Sequence, residues 1–201
     1  LDFETIQFAV PIWAGTRPYQ MIPFQFSLHT VSSSGEMAHD EFLDISGKDP
    51  SQSFVNALLQ SCGNQALPIF VYNAGFEKSR ISELADRFPF QCDALLAIND
   101  RIVDLLPVAR NRYYHPNQHG SWSIKAVLPA VVPDLKYSDL DGVQDGGMAM
   151  ESFLEAIHPQ TSSERKKLIR EQLLAYCKLD TYAMVRLWAF FTGRNERHES
   201  C

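Results

Sequence analysis

The sequence predicts an α/β domain in which a mixed β-sheet is flanked by α-helices. Three observations predict it. Strand-like segments crowd the first 45 residues; helical periodicities then alternate with one apolar, β-rich run at 67–72; and a single long amphipathic helix dominates the carboxy-terminal end. Strands first, then helices alternating with a strand, is the order of a layered α/β sheet. An α+β arrangement with segregated helices is the competing reading. At 201 residues the chain fits one domain, 1–201, with a full core. It starts inside a strand without Met, so excision from a longer chain is expected.

Each element has its own warrant. Residues 1–4 read as the end of a buried strand, and 6–20, with Pro11, Gly15 and Pro18 among Trp13 and Tyr19, as a long loop. Phe24, Phe26 and Leu28 alternate with Gln25 and Ser27, which is strand periodicity. Residues 42–45 form a third strand. Asp49 or Ser51 caps a helix over 51–62, with Phe54, Leu58 and Leu59 on one face. The run 67–72 is a central strand, and Asn73-Ala74-Gly75 turns it into a helix over 76–87. A short helix is expected at 92–98, a short strand or turn at 102–106, and a polar, aromatic loop at 110–122. Ser121 or Ser123 caps a helix ending near Pro129. A Gly/Asp-rich segment, 139–147, precedes a helix over 148–157, and the last helix covers 163–191.

Composition narrows the function classes. Hydrophobic residues make up 45% and charged residues 21%, the balance of an ordinary globular protein. No apolar run is long enough to span a membrane, and no signal peptide is visible. Cys62, Cys92, Cys177 and Cys201 form no CxxC pair or Cys/His cluster, which argues against zinc and for a reducing, cytoplasmic setting. The net charge of −6 weighs against a high-affinity nonspecific nucleic-acid binder but says little about a metal-dependent enzyme, because metal-binding acids push the total negative.

Four acids carry the functional reading: Asp2 and Glu4 in LDFET, Glu77 in YNAGFE, and Asp180 in YCKLD. Asp2 and Glu4, at i and i+2, share one face of a strand, while Phe3 points to the other. Adjacent carboxylates repel unless a cation lies between them, and Mg²⁺ suits such oxygen ligands. Two ordinary surface acids on an exposed strand end is the alternative. Asp180 sits on the stripe Ile169, Leu173, Tyr176, Asp180, Met184 and Leu187, which at ~100° per residue spans an arc of roughly 80°. Lys167, Glu171 and Lys178 fall opposite. An inward carboxylate needs compensation, by a metal ion or, alternatively, by an Arg or a neighbouring segment it caps. Tyr176, one turn before Asp180, either orients a metal-bound water or is a core aromatic. Glu77 opens a helix, where an acid also suits the dipole; Asn73 would cap or bridge that turn, and Phe76 would pack beneath it.

Together, LDFET, YNAGFE and YCKLD resemble, in order, the three motifs of the DEDD 3′–5′ exonucleases of the RNase H-like superfamily, and Tyr176 with Asp180 matches the Y-x-x-x-D, or DEDDy, form. YCKLD is also similar to the third motif of proofreading domains in family B DNA polymerases. The whole chain, with GSWSIKAVLPAVVP, resembles an uncharacterised prokaryotic domain family of that superfamily. The resemblance implies an RNase H-like fold and a divalent-metal-dependent nuclease that hydrolyses single-stranded DNA or RNA from the 3′ end to nucleoside 5′-monophosphates, using two Mg²⁺ or Mn²⁺ ions. Asp2 would bridge both ions, Glu4 and Asp180 would hold the ion that activates water, Glu77 would serve the second ion, and Tyr176 would orient the water. The main chain around Phe3 and Thr5 would meet the terminal hydroxyl. Two departures stand out: Glu77 replaces the Asp that usually ends the second motif, and the 6–20 loop is long. The first keeps open a weakly active or inactive nucleic-acid-binding module within a larger DNA-processing protein, whose other domains would be its partners.

Arg110, Arg112, Tyr113, Tyr114, His115, His119, Trp122 and Lys125 interleave cations and aromatics, a mix suited to single-stranded nucleic acid, although the same aromatics would also complete a core. Tyr114 is the expected stacking residue. Arg17, with Tyr19, is expected to close over the site. Arg165, Lys166, Lys167 and Arg170 read as a solvated helix face.

Overall fold

The computed structural model describes residues 1–63 and 66–194; Cys201 lies outside them. Strands β1 (Asp2–Ile6), β2 (Ile22–Val31) and β3 (Met37–Leu43) form an antiparallel sheet in the order β1-β2-β3. Helix α1 (Ser51–Cys62) follows, then β4 (Ile69–Val71), α2 (Gly75–Arg87), α3 (Cys92–Asp100) and β5 (Ile102–Asp104), with β4 and β5 pairing in parallel. The remainder is helical: α4 (Leu106–Arg112), α5 (Ile124–Val131), α6 (Gly146–Ile157) and the long α7 (Ser163–Phe191). The backbone nitrogen of Leu1 donates to the Phe70 carbonyl at 2.9 Å, which brings the start of β1 beside β4. The fold is mixed α/β, a small amount of sheet flanked by helices, as the sequence predicts at that level. Among the described residues no helix is long and apolar enough to cross a membrane.

The sheet separates two cores. On one side Leu1, Phe3, Phe26 and Leu28 pack with Phe54, Val55 and Leu58 of α1 and with Ile81 and Leu84 of α2; Phe54 meets Phe3 and Phe26 edge-on. On the other, Ile6, Ile22 and Phe24 pack with Phe153 of α6 and with Ile169, Leu173 and Tyr176 of α7. Phe24 and Phe26 serve different cores, although simple alternation puts them on one face. The β1–β2 register steps from Glu4↔Gln25 to Thr5↔Pro23, so Phe24 is an extra residue, a β-bulge that turns the strand. The bulge leaves Gln25 and Ser27 facing α7, both 1% exposed. Gln25 donates its amide N–H to the Leu173 carbonyl at 2.7 Å, and the Ser27 and Thr181 hydroxyls bond at 2.7 Å. A third partner, His29 Nδ1, lies 2.7 Å from the Thr181 hydroxyl. These bonds fix the height and rotation of α7 on β2.

Several boundaries differ from expectation. Strand β1 runs to Ile6, and β3 begins at Met37 rather than 42, because its first residues, Met37 to Glu41, lie on an edge and are mostly exposed, without the apolar alternation a buried strand shows. The α1 cap is Pro50; Asp49 instead accepts from the Ser51 nitrogen at 3.0 Å. Residues 106–112, split between a turn and a loop by sequence, form α4. Asp145 caps α6 by accepting from Met148 N at 2.8 Å. Ser123 is the N-cap of α5, and Pro129 lies within that helix.

Candidate metal centre

Three of the four acids converge. Asp2 and Glu4 come from alternate positions of β1, opposite Ser27 and Gln25, and therefore face α7. Asp180 comes from the buried stripe of α7, every member of which is buried as its spacing predicts. Carboxylate oxygens of Asp2, Glu4 and Asp180 all lie within 4.8 Å of one another. No Arg or Lys forms an ion pair with any of the three among the described residues. Glu4 is 8% and Asp180 6% exposed, and Asp2 is half-buried. The exposed strand end is thereby excluded for Glu4, and the Arg-paired alternative for Asp180.

Glu77 opens α2, where β4 delivers the chain, and is 2% exposed. It stands outside the tight trio, yet its charge is felt by both Asp2 and Glu4. Its Oε2 is buried without a hydrogen-bond partner, an uncompensated acceptor of the kind a bound cation would satisfy. The turn that aims it is held differently from expectation. Asn73 makes no side-chain cap: α2 begins after Ala74 without one, and Asn73 supplies a left-handed backbone, φ 74°, which Asn tolerates better than most residues. The clamp is Asp104 at the end of β5, whose carboxylate accepts from the backbone nitrogens of Asn73, Ala74 and Leu106 at 2.9, 3.0 and 2.9 Å. Phe76 is half-buried against the α1/α2 core, with the Arg80 guanidinium 5.6 Å from its ring.

The cluster's electrostatics follow from burial and mutual repulsion. Burial, then Asp180, Glu4 and Glu77, push Asp2 well above the usual carboxylate range. Burial and Asp180 raise Glu4 to about 8, against the pull of Lys125. Burial raises Glu77 to about 7. Burial also raises Asp180 to about 6, opposed by the phenol of Tyr137, by Lys125 and by Tyr176. The folded protein therefore holds a set of hard oxygen donors that keep protons to unusually high pH, since nothing among the described residues compensates their full ionisation. That donor chemistry fits Mg²⁺ or Mn²⁺, which prefer carboxylate oxygens, over softer metals.

Five neighbours were not singled out for this site by sequence. Tyr137, in a single 3-10 turn (Tyr137–Asp139), donates to Asp180 Oδ1 at 2.5 Å; no periodicity marks it. Asp104 has only a positional signal, an acid closing a strand. Asp145 raises the Glu4 pKa further, and Gly146 beside it comes close enough that a methyl group there would lie 3.7 Å from Glu4 Oε2. Lys125, grouped by sequence with the cations and aromatics of the 110–122 loop, lies on α5 and acts on Glu4 and Asp180. Tyr176 is where the stripe puts it, buried, its ring 6.3 Å from Tyr137.

The other expected contacts are placed as follows. The Phe3 side chain is 3% exposed in the α1 core, so only its main chain faces the site. Thr5 sits at the bulge opposite Pro23. Arg17 is an exposed partner of Glu83 at 3.5 Å and makes no contact with the acidic cluster. Tyr114 is 62% exposed, beside Trp122. The loop's other aromatics complete the core: Tyr113 packs on Phe190 and Phe191, Trp122 donates to the Tyr113 carbonyl, and Tyr72 donates to the Trp122 carbonyl. Arg165 pairs with Glu155, and Arg170 donates to the Leu43 carbonyl, as on a solvated helix face.

Residues 1–123 match the family described as Domain of unknown function (DUF2779), a span that holds Asp2, Glu4 and Glu77 and ends before α7. The chain is also similar to the Uncharacterized protein MG366 homolog of Mycoplasma pneumoniae, 27% identical over 210 aligned residues that cover 94% of this chain and 31% of that protein. The chain thus spans about a third of the length of this curated relative. No solved structure matches it.

Proposed function

The chain belongs to the DUF2779 family of domains of unknown function, and from its carboxylate cluster we propose that it is a divalent-metal-dependent 3′–5′ exonuclease acting on single-stranded DNA or RNA. The observation that carries this reading is the convergence of Asp2, Glu4 and Asp180 within 4.8 Å with no close ion pair to any of them among the described residues, next to the orphaned Oε2 of Glu77. An RNase H-like architecture is part of the proposal. Counting the Leu1–Phe70 bond as a rung between β1 and β4 gives the strand order β3-β2-β1-β4-β5, with the acids on the central strand, on the helix after its neighbour, and on the final helix. The 3′ polarity rests on the resemblance of the three motifs.

In this reading Asp2, Glu4 and Asp180 hold the metal ions, with Glu77 completing the set from the α2 side. Two bound Mg²⁺ or Mn²⁺ ions supply an activated water and charge stabilisation at the leaving oxygen. Tyr137 holds the Asp180 carboxylate in place through its phenol. Tyr176, neutral because burial and the surrounding acids raise its pKa, is positioned to orient a water at the same carboxylate. Asp104 fixes the turn that aims Glu77. The main chain around Phe3 and Thr5 borders the acids and is the natural seat for a terminal hydroxyl. Free thiols at Cys62, Cys92 and Cys177 favour a reducing cytosol, and other domains of the same polypeptide are its expected partners, given the length of its relative.

The test is a ladder assay with Mn²⁺ on 5′-labelled DNA and RNA oligonucleotides carrying free or blocked 3′ ends. Stepwise shortening from free 3′ ends, release of nucleoside 5′-monophosphates, and loss of both in a folded Asp2→Asn variant are expected. Substrates left intact by the wild-type protein would contradict the proposal. The longer Glu77 side chain favours one second reading, a binding module with weakened catalysis, which tight binding without shortening would support.

A further inference from the structure

Lys125 occupies a site built for an ammonium ion. Its Nζ lies 5.2 Å from the ring centroid of Tyr137 and 5.3 Å from that of Tyr176, and it donates to the Gln144 carbonyl at 2.6 Å. Two ring faces and a carbonyl attract a cation and restrict its motion. The same two tyrosines flank Asp180, and the ammonium lowers the pKa of both Glu4 and Asp180, so it stands beside the acids. Among the described residues its close partners include no carboxylate, whereas Arg17 and Arg80 are engaged by Glu83, Arg87 by Asp49, and Arg165 by Glu155. Lys125 is half-buried, held yet reachable.

The charge balance shows what such a cation is for. Four carboxylates are matched by two divalent ions, which leaves an anionic substrate no net attraction at the site. A fixed ammonium adds one positive charge, and among the described residues only the Gln144 carbonyl accepts from it. We propose that Lys125 is the substrate-phosphate contact of this centre, its ammonium donating to a non-bridging oxygen of the phosphodiester bound beside the metal ions. The proposal rests on the nuclease reading and adds the residue that recognises the anion.

The test compares wild type with Lys125→Met and Lys125→Arg, using a short 5′-fluorescein oligothymidylate in Ca²⁺ for binding and Mn²⁺ calorimetry for the metal centre. Lys125→Met is expected to weaken oligonucleotide binding about 10-fold or more and to flatten the slope of log affinity against log salt by roughly 0.7, the loss of one phosphate contact on a single strand. Lys125→Arg keeps the charge and should retain most of both. Mn²⁺ affinity should stay the same or tighten in Lys125→Met, because a neighbouring cation is gone. A Lys125→Met protein that binds the oligonucleotide with wild-type affinity and salt slope overturns the phosphate role and leaves the metal centre standing. A fall in Mn²⁺ affinity and melting temperature that Lys125→Arg does not rescue assigns Lys125 to packing and overturns the proposal. A wild-type protein that binds neither Mn²⁺ nor oligonucleotide removes this proposal together with the nuclease reading.

Discussion

Replacing Glu77 by Gln should stabilise the metal-free protein, and more so as the pH rises. The carboxyl is 2% exposed, with Oε2 unpartnered, and burial lifts its pKa from 4.5 to about 7. Between these values the unfolded chain has released a proton that the folded chain retains, so folding becomes less favourable as pH climbs. At about 1.4 kcal/mol per pKa unit, the ionised group costs the fold about 1 kcal/mol at about pH 5 and about 3 kcal/mol at about pH 8. The Gln variant carries no such charge. Urea denaturation of both proteins in EDTA, at each pH, gives the two differences directly. The expected result is a variant more stable than wild type by roughly 3 kcal/mol at the higher pH and by much less at the lower. Equal differences at the two pH values, or a variant less stable at the higher one, would refute the argument that Glu77 is a buried, uncompensated acid.

Saturating Mn²⁺ should reverse this pH trend in the wild-type protein. At a hundredfold excess over Kd it adds about 2.7 kcal/mol, roughly 5–10 °C in a chain of this size, with a larger gain at about pH 8 than at about pH 5 because the ligands must be ionised; thermal scans measure it. Asp104→Ala releases the three backbone N–H groups that its carboxylate clamps and should cost about 2–4 kcal/mol in urea unfolding, with a weaker Mn²⁺ site as Glu77 loses its aim. Tyr137→Phe removes the donor to Asp180 Oδ1 and should destabilise the fold by roughly 1.5–3 kcal/mol above about pH 6, where that carboxylate is ionised. A smaller loss is expected at lower pH.

The parts of the site that obey a period were legible in the sequence. The stripe on α7 announced that Asp180 faces inward, and the i, i+2 spacing announced that Asp2 and Glu4 share a face; both hold. Glu77 was legible because a β-run and a turn signal precede it. What escaped reading depends on contacts between distant segments. The bulge at Phe24 is a matter of register between β1 and β2, so Phe24 and Phe26 looked equivalent although they feed different cores. Asn73 looked like the cap of its own turn, whereas Asp104, 31 residues on, does that work. Tyr137 reaches Asp180 across 43 residues from an irregular segment. Arg17 and Tyr114 are suggested as substrate contacts by chemical type alone; Arg17 pairs with Glu83, and Tyr114 stands exposed beside Trp122. Edge strand β3 and helix α4 were blurred because exposed, polar residues carry no burial pattern to read.

Calorimetric titration of metal-stripped protein with Mn²⁺, near pH 8, addresses the carboxylate cluster itself. The predicted result is two ions bound per chain, with binding abolished in folded Asp2→Asn and Asp180→Asn proteins and reduced in Glu77→Gln. An absence of heat in the wild type, or binding that persists unchanged in the Asp2 and Asp180 variants, would contradict a metal centre at these acids.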